Sequence, residues 1–276
     1  MPALLIRHRI VRSRWTMAGL AVVATLALVA LAAPWLAPGD PYRGELARGL
    51  EPPSAAALLG TDAQGRDVLS RVLFGARLSL AVGLGSQAIA IAAGLTLGLV
   101  AGYYGRWVDA VVMRVADVTL AFPSLLLLIA VAAAVRPSLP VICVVIGLVG
   151  WAGMARLVRG QVLLVRSLDY VQAGRALGLS DGRLVTRHIL PNVLAPVIVA
   201  ATLGIGGAIM AEAALSFVGL GAQPPTPSWG AMVADGRDLL RVAPWVSLFP
   251  GLAIGAAVLG LNLVGDGLRD ALDVRA

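Results

Sequence analysis

Glu212 stands in Ala211-Glu212-Ala213-Ala214-Leu215-Ser216, inside a long apolar run, and its carboxylate is the first sign of chemistry in the sequence. An acid in a membrane helix costs roughly 2.5–3.5 kcal/mol at the bilayer centre and less near an edge, so it must face protein or water. Two roles fit it: a group lining a solute pathway, or a partnered structural acid near the outer interface. Catalysis fits poorly. The chain has two histidines, His8 and His188, and one cysteine, Cys143. Two histidines cannot build a metal site by themselves, and a lone cysteine cannot form an intrachain disulfide. There is no G-x-x-x-x-G-K-[ST] phosphate loop, no H-E-x-x-H and no G-x-S-x-G turn. No catalytic residue and no metal ligand is expected. Cys143 reads as a small buried hydrophobe, and Gln87 and Asn262 as interhelical hydrogen-bonders.

A second stretch has the spacing of a folded knob. It runs Asp169-Tyr170-Val171-Gln172-Ala173-Gly174-Arg175-Ala176-Leu177-Gly178-Leu179-Ser180 and on to His188-Ile189-Leu190-Pro191-Asn192. Asp169 can cap a helix whose Gln172 reaches back, a variant of the capping box. Gly178 suits the left-handed position that ends such a helix, with Leu179 folding back on it. Ser180 can cap a second short helix that runs toward Leu190-Pro191 at the membrane. The other local reading is an ordinary amphipathic loop between two spans.

The elements that must carry these residues follow from composition. Of 276 residues, 59% are hydrophobic and 13% charged, against about 25% charged in soluble domains. Mean hydropathy is +0.87. Too little charge is present to cover a soluble surface, so the chain reads as an integral membrane protein. The net charge of +7 comes from arginine alone. The arginines lie in short breaks between apolar runs, a membrane pattern rather than a nucleic-acid face.

A membrane helix needs about 20 mostly apolar residues. Six runs qualify: Thr16–Leu36, Arg77–Ala101, Val108–Val135, Ser138–Val158, Ile189–Val218 and Pro244–Val264. The first could be a signal peptide, since Ala30-Leu31-Ala32 resembles a cleavage site. It is longer than the usual apolar core of about 7–15 residues, so a retained helix is expected. The polar stretch from Ala37 to Ala76 follows it on the outside. With both termini inside, 14 arginines fall in inner segments and 8 in outer ones, which the positive-inside rule favours. Tyr103, Tyr104 and Trp107 then mark the inner boundary, and Trp35 and Trp245 the outer one. The division expected is residues 1–76, an N-terminal helix with its outer segment, and 77–276, a five-helix core with a cytoplasmic loop at about 159–188.

The knob resembles the coupling loop of ABC-importer permeases, E-A-A-x(3)-G-x(9)-I-x-L-P. Ala173, Gly178, Leu190 and Pro191 fall in register. Gln172 replaces Glu, Gly174 replaces the second Ala, and His188 stands where Ile is usual. A carboxylate at 172 could pair with an arginine, whereas an amide cannot. Other stretches are similar to the dipeptide/oligopeptide/nickel-type permeases, in their second-subunit branch. These are Gly60-Thr61-Asp62…Gly65-Arg66-Asp67…Arg71, Ala101–Gly105, Ala121-Phe122-Pro123-Ser124, Ala211–Gly221 with Pro224…Trp229-Gly230, and Gly265–Asp270.

The resemblance implies an all-α, six-span, type I ABC-importer permease, N-in and C-in, in a bacterial-type cytoplasmic (inner) membrane. It implies a heterodimer with a second permease subunit, two cytoplasmic ABC ATPase subunits that carry ATP and magnesium, and an extracytoplasmic substrate-binding protein. No cofactor is then bound by this chain and no nucleic acid is a partner. The ATPase-coupling residues it implies are Gln172, Ala173, Gly174, Gly178, Leu190 and Pro191. Peptide-like solutes lead as cargo, with nickel chelates or glutathione-like molecules behind them. The rivals from other classes are a secondary transporter, which would show internal repeats or interrupted ion-binding helices, and an intramembrane enzyme, which would need a paired-acid or Ser–His site.

Overall fold

A computed structural model describes residues 13–135 and 138–272. Arg7, Arg9, Arg12, Arg136, Arg275 and His8 lie outside them. Every regular element among the described residues is helical, apart from one isolated bridge between Thr61 and Asp67. Lipid offers the backbone no hydrogen-bond partners, so a helix that satisfies its own amides is the form a spanning segment takes.

The first helix, α1, covers Arg14–Leu36 and starts on Ser13, whose Oγ accepts from the Thr16 amide at 3.3 Å. Helix α2 covers Val68–Tyr104, 37 residues. At about 1.5 Å per residue it is roughly 55 Å long, well beyond a hydrocarbon core of about 30 Å. Asp67 caps its outer end, with Oδ2 accepting from the amide and hydroxyl of Ser70 at 2.7 Å each. Helix α5, Leu139–Arg166, packs along it.

The α2–α5 contact fixes the topology. Gly147 meets Ile89, Gly94 meets Met154, Gly98 meets Ala155 and Val158, and Gly102 meets Val162. The paired numbers rise together, so the two helices are parallel. A Cβ on Gly98 would stand 2.6 Å from the Ala155 carbonyl oxygen and 2.7 Å from Val158 Cβ. Small residues four apart are what allow such close approach.

Two parallel helices joined in sequence need a return crossing between them. Helix α3, Arg106–Ala121, and helix α4, Ser124–Ala133, make it together, bent by 90°. Alone, the 10-residue α4 reaches only about 15 Å. The sequence predicted one continuous span over Val108–Val135; the structure breaks it at Phe122-Pro123. Pro123 has no amide hydrogen and excludes the helical region for the residue before it, and Phe122 is extended at φ −84°, ψ 138°.

The remaining crossings follow from similar contacts. Helix α8, Leu190–Phe217, is antiparallel to α2, with Gly83 on Ile205 and Ile209, and Gly204 under Gln87. Helix α10, Trp245–Leu272, is antiparallel to α8, and α1 runs antiparallel to α10 through Gly19 on Leu263 and Gly267 on Thr16. Six crossings result, with the start of α1 and the end of α10 on one side. Helices α2, α5 and α10 overrun the apolar runs from which spans were predicted. Their ends are amphipathic turns outside the lipid, which hydropathy cannot distinguish from loop.

The outer segment before α2 folds around Asp62, which is 4% exposed. Its carboxylate accepts from the amides of Gln64 and Arg66 at 2.9 Å, and from Arg66 Nε at 2.7 Å. Arg71 Nε lies 3.4 Å away, and another Arg71 nitrogen donates to the Pro41 carbonyl at 3.1 Å. Two of the outer arginines are thereby absorbed into a buried structural cluster. Trp229 opens a short outer helix, α9, Trp229–Gly236. It is 1% exposed and donates from Nε1 to the Val72 carbonyl at 3.0 Å.

The six-crossing topology predicts which surfaces a membrane-impermeant maleimide reaches. In a Cys143→Ser background, cysteines at Arg43 and Gln223, both exposed, should react in intact cells. A cysteine at Leu177, 85% exposed, should react only after permeabilisation. Reaction of Leu177→Cys in intact cells would reverse the orientation.

Candidate functional site

Helix α5 ends at Arg166, and α6, Asp169–Ala176, begins almost at once. Its last turn closes with the two crossed bonds of a Schellman motif. The Leu179 amide donates to the Gly174 carbonyl at 3.1 Å, and the Gly178 amide to the Arg175 carbonyl at 3.0 Å. Gly178 sits at φ +80° with open space around it, so the backbone conformation alone selects glycine there. Leu179 folds back over Gly174. A Cβ on Gly174 would lie 3.0 Å from Leu179 Cδ1 and 3.2 Å from Leu184 Cδ2, which is why a residue without one fits.

The capping differs from the sequence reading. Leu168, not Asp169, occupies the N-cap of α6, and Asp169 is the first helical residue. Gln172 does not reach back to its own helix. Its Nε2 donates to the Arg166 carbonyl at 2.8 Å, one of the carbonyls that the end of α5 leaves without a helical partner. Ser180 precedes α7, Asp181–Leu184, without making a side-chain cap. Beyond α7 the helix does not stop. A π-helical turn, Val185–Ile189, leads straight into α8. The wider turn absorbs Pro191, which cannot donate to the ladder. Among the expected coupling residues, Gln172, Ala173, Gly174 and Gly178 therefore share one turn of α6 and its exit, whereas Leu190 and Pro191 begin α8 and stand apart.

The knob is bound to three long helices. Val171, Leu184 and Ile189 are buried with Tyr103 of α2 and Val158, Val162 and Val165 of α5. The Tyr103 hydroxyl donates to Asp181 at 2.6 Å, and the Arg175 guanidinium lies 5.4 Å over the Tyr103 ring. Arg166 donates to the Gly102 carbonyl at 2.7 Å and the Tyr103 carbonyl at 3.2 Å. Asn192 Nδ2 donates to the Tyr170 hydroxyl at 3.1 Å and to the His188 carbonyl at 2.7 Å. At the tip, Leu177 is 85% exposed. Sequence reasoning missed Leu177 and Asp181, and gave Tyr103 only as a marker of the inner boundary. Of the two missed, Leu177, an apolar residue just before the chain-reversing glycine, left a local signal.

Nearby, α3 is tied to α5 by two ion pairs. Asp109 meets Arg159, with Nη2–Oδ2 at 2.6 Å, and Asp117 meets Arg156. These pairings hold the charges that an α3 beside the inner boundary must carry.

Glu212 is fully buried in α8. One carboxyl oxygen accepts from the Ser216 hydroxyl at 2.7 Å, and that hydroxyl lies 3.4 Å from the Ser228 hydroxyl. Ser228 in turn accepts from the Ala231 amide at 3.1 Å and so caps α9. The second carboxyl oxygen has no partner among the described residues. Glu212 itself lines none of the three cavities of about 660, 510 and 430 Å³, although Ser216 lines the first and Ala211 the last. A cavity of about 660 Å³ opens at the outer face beside Arg66, Arg71, Asp235 and Arg237. Another, of about 430 Å³, lies between α2, α4, α5 and α8 beside Ser86, Gln87, Ser124 and several glycines.

The family model described as binding-protein-dependent transport system inner membrane component matches residues 94–276. That of the N-terminal TM domain of oligopeptide transport permease C matches residues 2–53. The chain is 47% identical over 262 residues to the dipeptide transport system permease protein of Alkalihalophilus pseudofirmus, covering 95% of this chain and 86% of the relative. It is 46% identical over 261 residues to the probable D,D-dipeptide transport system permease protein of Escherichia coli, covering 95% and 88%. It is 47% identical over 223 residues to the glutathione transport system permease protein of Pectobacterium atrosepticum, covering 81% and 74%. With its helical crossings and a family match over more than half its length, this chain belongs to the multi-pass inner-membrane permease components of binding-protein-dependent ABC transport systems.

Proposed function

We propose that the chain is one of two permease subunits through which an ATP-driven importer passes di- and oligopeptides. A second permease completes the path, two cytoplasmic ATPase subunits bind ATP and magnesium, and an external binding protein delivers the solute. The observation that carries this reading is the knob at Asp169–Leu184. It has an apolar tip at Leu177, a rigid exit at Gly178, and side-chain ties to α2, α5 and α8. An ATPase groove that receives the tip pushes on three spans at once. The chain's own work is mechanical: it holds the knob against the spans and shapes the path. The dipeptide names of the first relatives favour peptides as cargo, while the glutathione permease supports a γ-linked peptide as a second reading. Glu212, which itself lines none of the cavities, serves here as a structural acid that seats the α8–α9 connection.

Three outcomes test this reading. The chain reconstituted alone should accumulate no dipeptide, and the five-part complex should do so only with ATP; uptake by the lone chain would end the ABC assignment. Gly178→Val should insert normally, since its strain is confined to a cytoplasmic turn. A left-handed residue with a Cβ costs about 1–2 kcal/mol, so ATPase co-purification and uptake should fall roughly tenfold. Wild-type docking and uptake in that variant would make Gly178 an ordinary loop glycine. Glu212→Ala takes from the buried Ser216 hydroxyl its short acceptor and leaves only the long contact to Ser228, at a cost of about 1–3 kcal/mol. Assembled complex and uptake should therefore drop in proportion, measured on the same membranes; loss of uptake with full assembly would place Glu212 on the path instead.

A further inference from the structure

The cavity of about 430 Å³ lies near the midpoints of α2, α5 and α8, beside Gln87, Gly153 and Gly204 respectively. Its polar groups are unusual for that depth. Ser86 is 1% exposed, and its hydroxyl makes no hydrogen bond. Cys143 of α5 lies beside it, and a thiol is at best a weak partner. Gln87 is 9% exposed, lies flat over Gly204, and its amide has no hydrogen-bond partner among the described residues. Ser124, the first residue of α4, lines the same space.

Helix α4 starts at the Phe122-Pro123 break, and no side chain caps it. The first amides of a helix have no acceptor within it. Inside a bilayer such amides persist only beside protein partners or a water-filled cavity. The broken end therefore presents unpaired N–H donors and the positive end of its dipole to the space that the free Ser86 hydroxyl and Gln87 amide border. No acidic residue lines the cavity. Hydroxyls, an amide and a helix N-terminus, with no carboxylate among them, select an anionic or strongly polarised oxygen.

We propose that this cavity is a transient subsite for the terminal carboxylate of the passing peptide, held by Ser86, Gln87, Ser124 and the amino end of α4. The assignment rests on the peptide-import reading. Without a fixed cation in the site the carboxylate is held weakly enough to leave again, as passage requires.

The test uses the complete complex, with its second permease, ATPases and binding protein, in proteoliposomes. Uptake of a dipeptide with a free carboxylate is compared with that of its C-terminal amide, each normalised to its measured affinity for the binding protein. Wild type should prefer the acid. Ser86→Ala and the near-isosteric Gln87→Met should each lower acid uptake, by about tenfold for a lost bond to a charged group, leave amide uptake nearly unchanged, and preserve the amount of assembled complex. Ser86→Ala removes only an unbonded hydroxyl, so it tests the site even where Gln87→Met fails to assemble. An unchanged acid-to-amide ratio in Ser86→Ala would overturn the subsite while leaving the importer intact. So would a loss of uptake matched by equal loss of complex, which marks a packing role. A wild-type complex that moves neither peptide would overturn the peptide reading itself, and the subsite with it.

Discussion

The parallel packing of α2 against α5 governs the rest of the chain. Gly94, Gly98 and Gly102 bring the two backbones so close that a Cβ at Gly98 would strike the Ala155 carbonyl. In lipid, where apolar side chains gain little by leaving their solvent, such close contact is the main source of helix association. Its consequence is topological. Because α2 and α5 run the same way, the chain between them must cross the membrane once more. That crossing, α3 and α4, is also the least regular. The inner ends of the parallel pair leave Tyr103 and Arg166 side by side, and the knob is built on them.

Two of the breaks in the helical backbone among the described residues, at Phe122-Pro123 and at Val185–Ile189, border something other than lipid. The Phe122-Pro123 break faces a cavity lined by Ser86 and Gln87. The π turn at Val185–Ile189 lies where the knob joins α8. Each break is next to a proline, and each frees backbone groups that would be costly in hydrocarbon. At these two breaks, protein or a cavity is at hand to take up the groups released.

The apolar runs were legible because hydropathy reports transfer into lipid, and five of the six became long helices of the expected type. Their ends were not legible. Residues such as Val68–Ala76 and Arg159–Arg166 are helical through capping and packing outside the bilayer, which a count of apolar residues does not register. The third span misled because Val108–Val135 is apolar enough on average, while a single proline decided its shape. In the knob, the left-handed exit at Gly178 could be read locally because its cause is local. The role of Gln172 could not, since its acceptor at Arg166 belongs to the preceding helix. The ties through Tyr103–Asp181 join residues 78 apart in sequence, and spacing carries no trace of such a contact.

The two ends of α2 make it the strut of the molecule. Near its outer end Arg71 is locked to Asp62 and to the Pro41 carbonyl; at its inner end Tyr103 holds Asp181 of the knob. No proline interrupts it. Helices α8 and α10, by contrast, contain Pro196 and Pro250, and α8 is entered through the π turn. A displacement applied at Leu177 therefore meets unequal resistance. The α2–α5 pair is joined by backbone-close contacts along its length and is tied through Arg71 to the outer Asp62 cluster. Helix α8 can bend at its inner end instead of following. On the proposed importer reading, motion of α8 against that pair would change the cavity that all three line, and so would carry a push on the knob to the middle of the membrane.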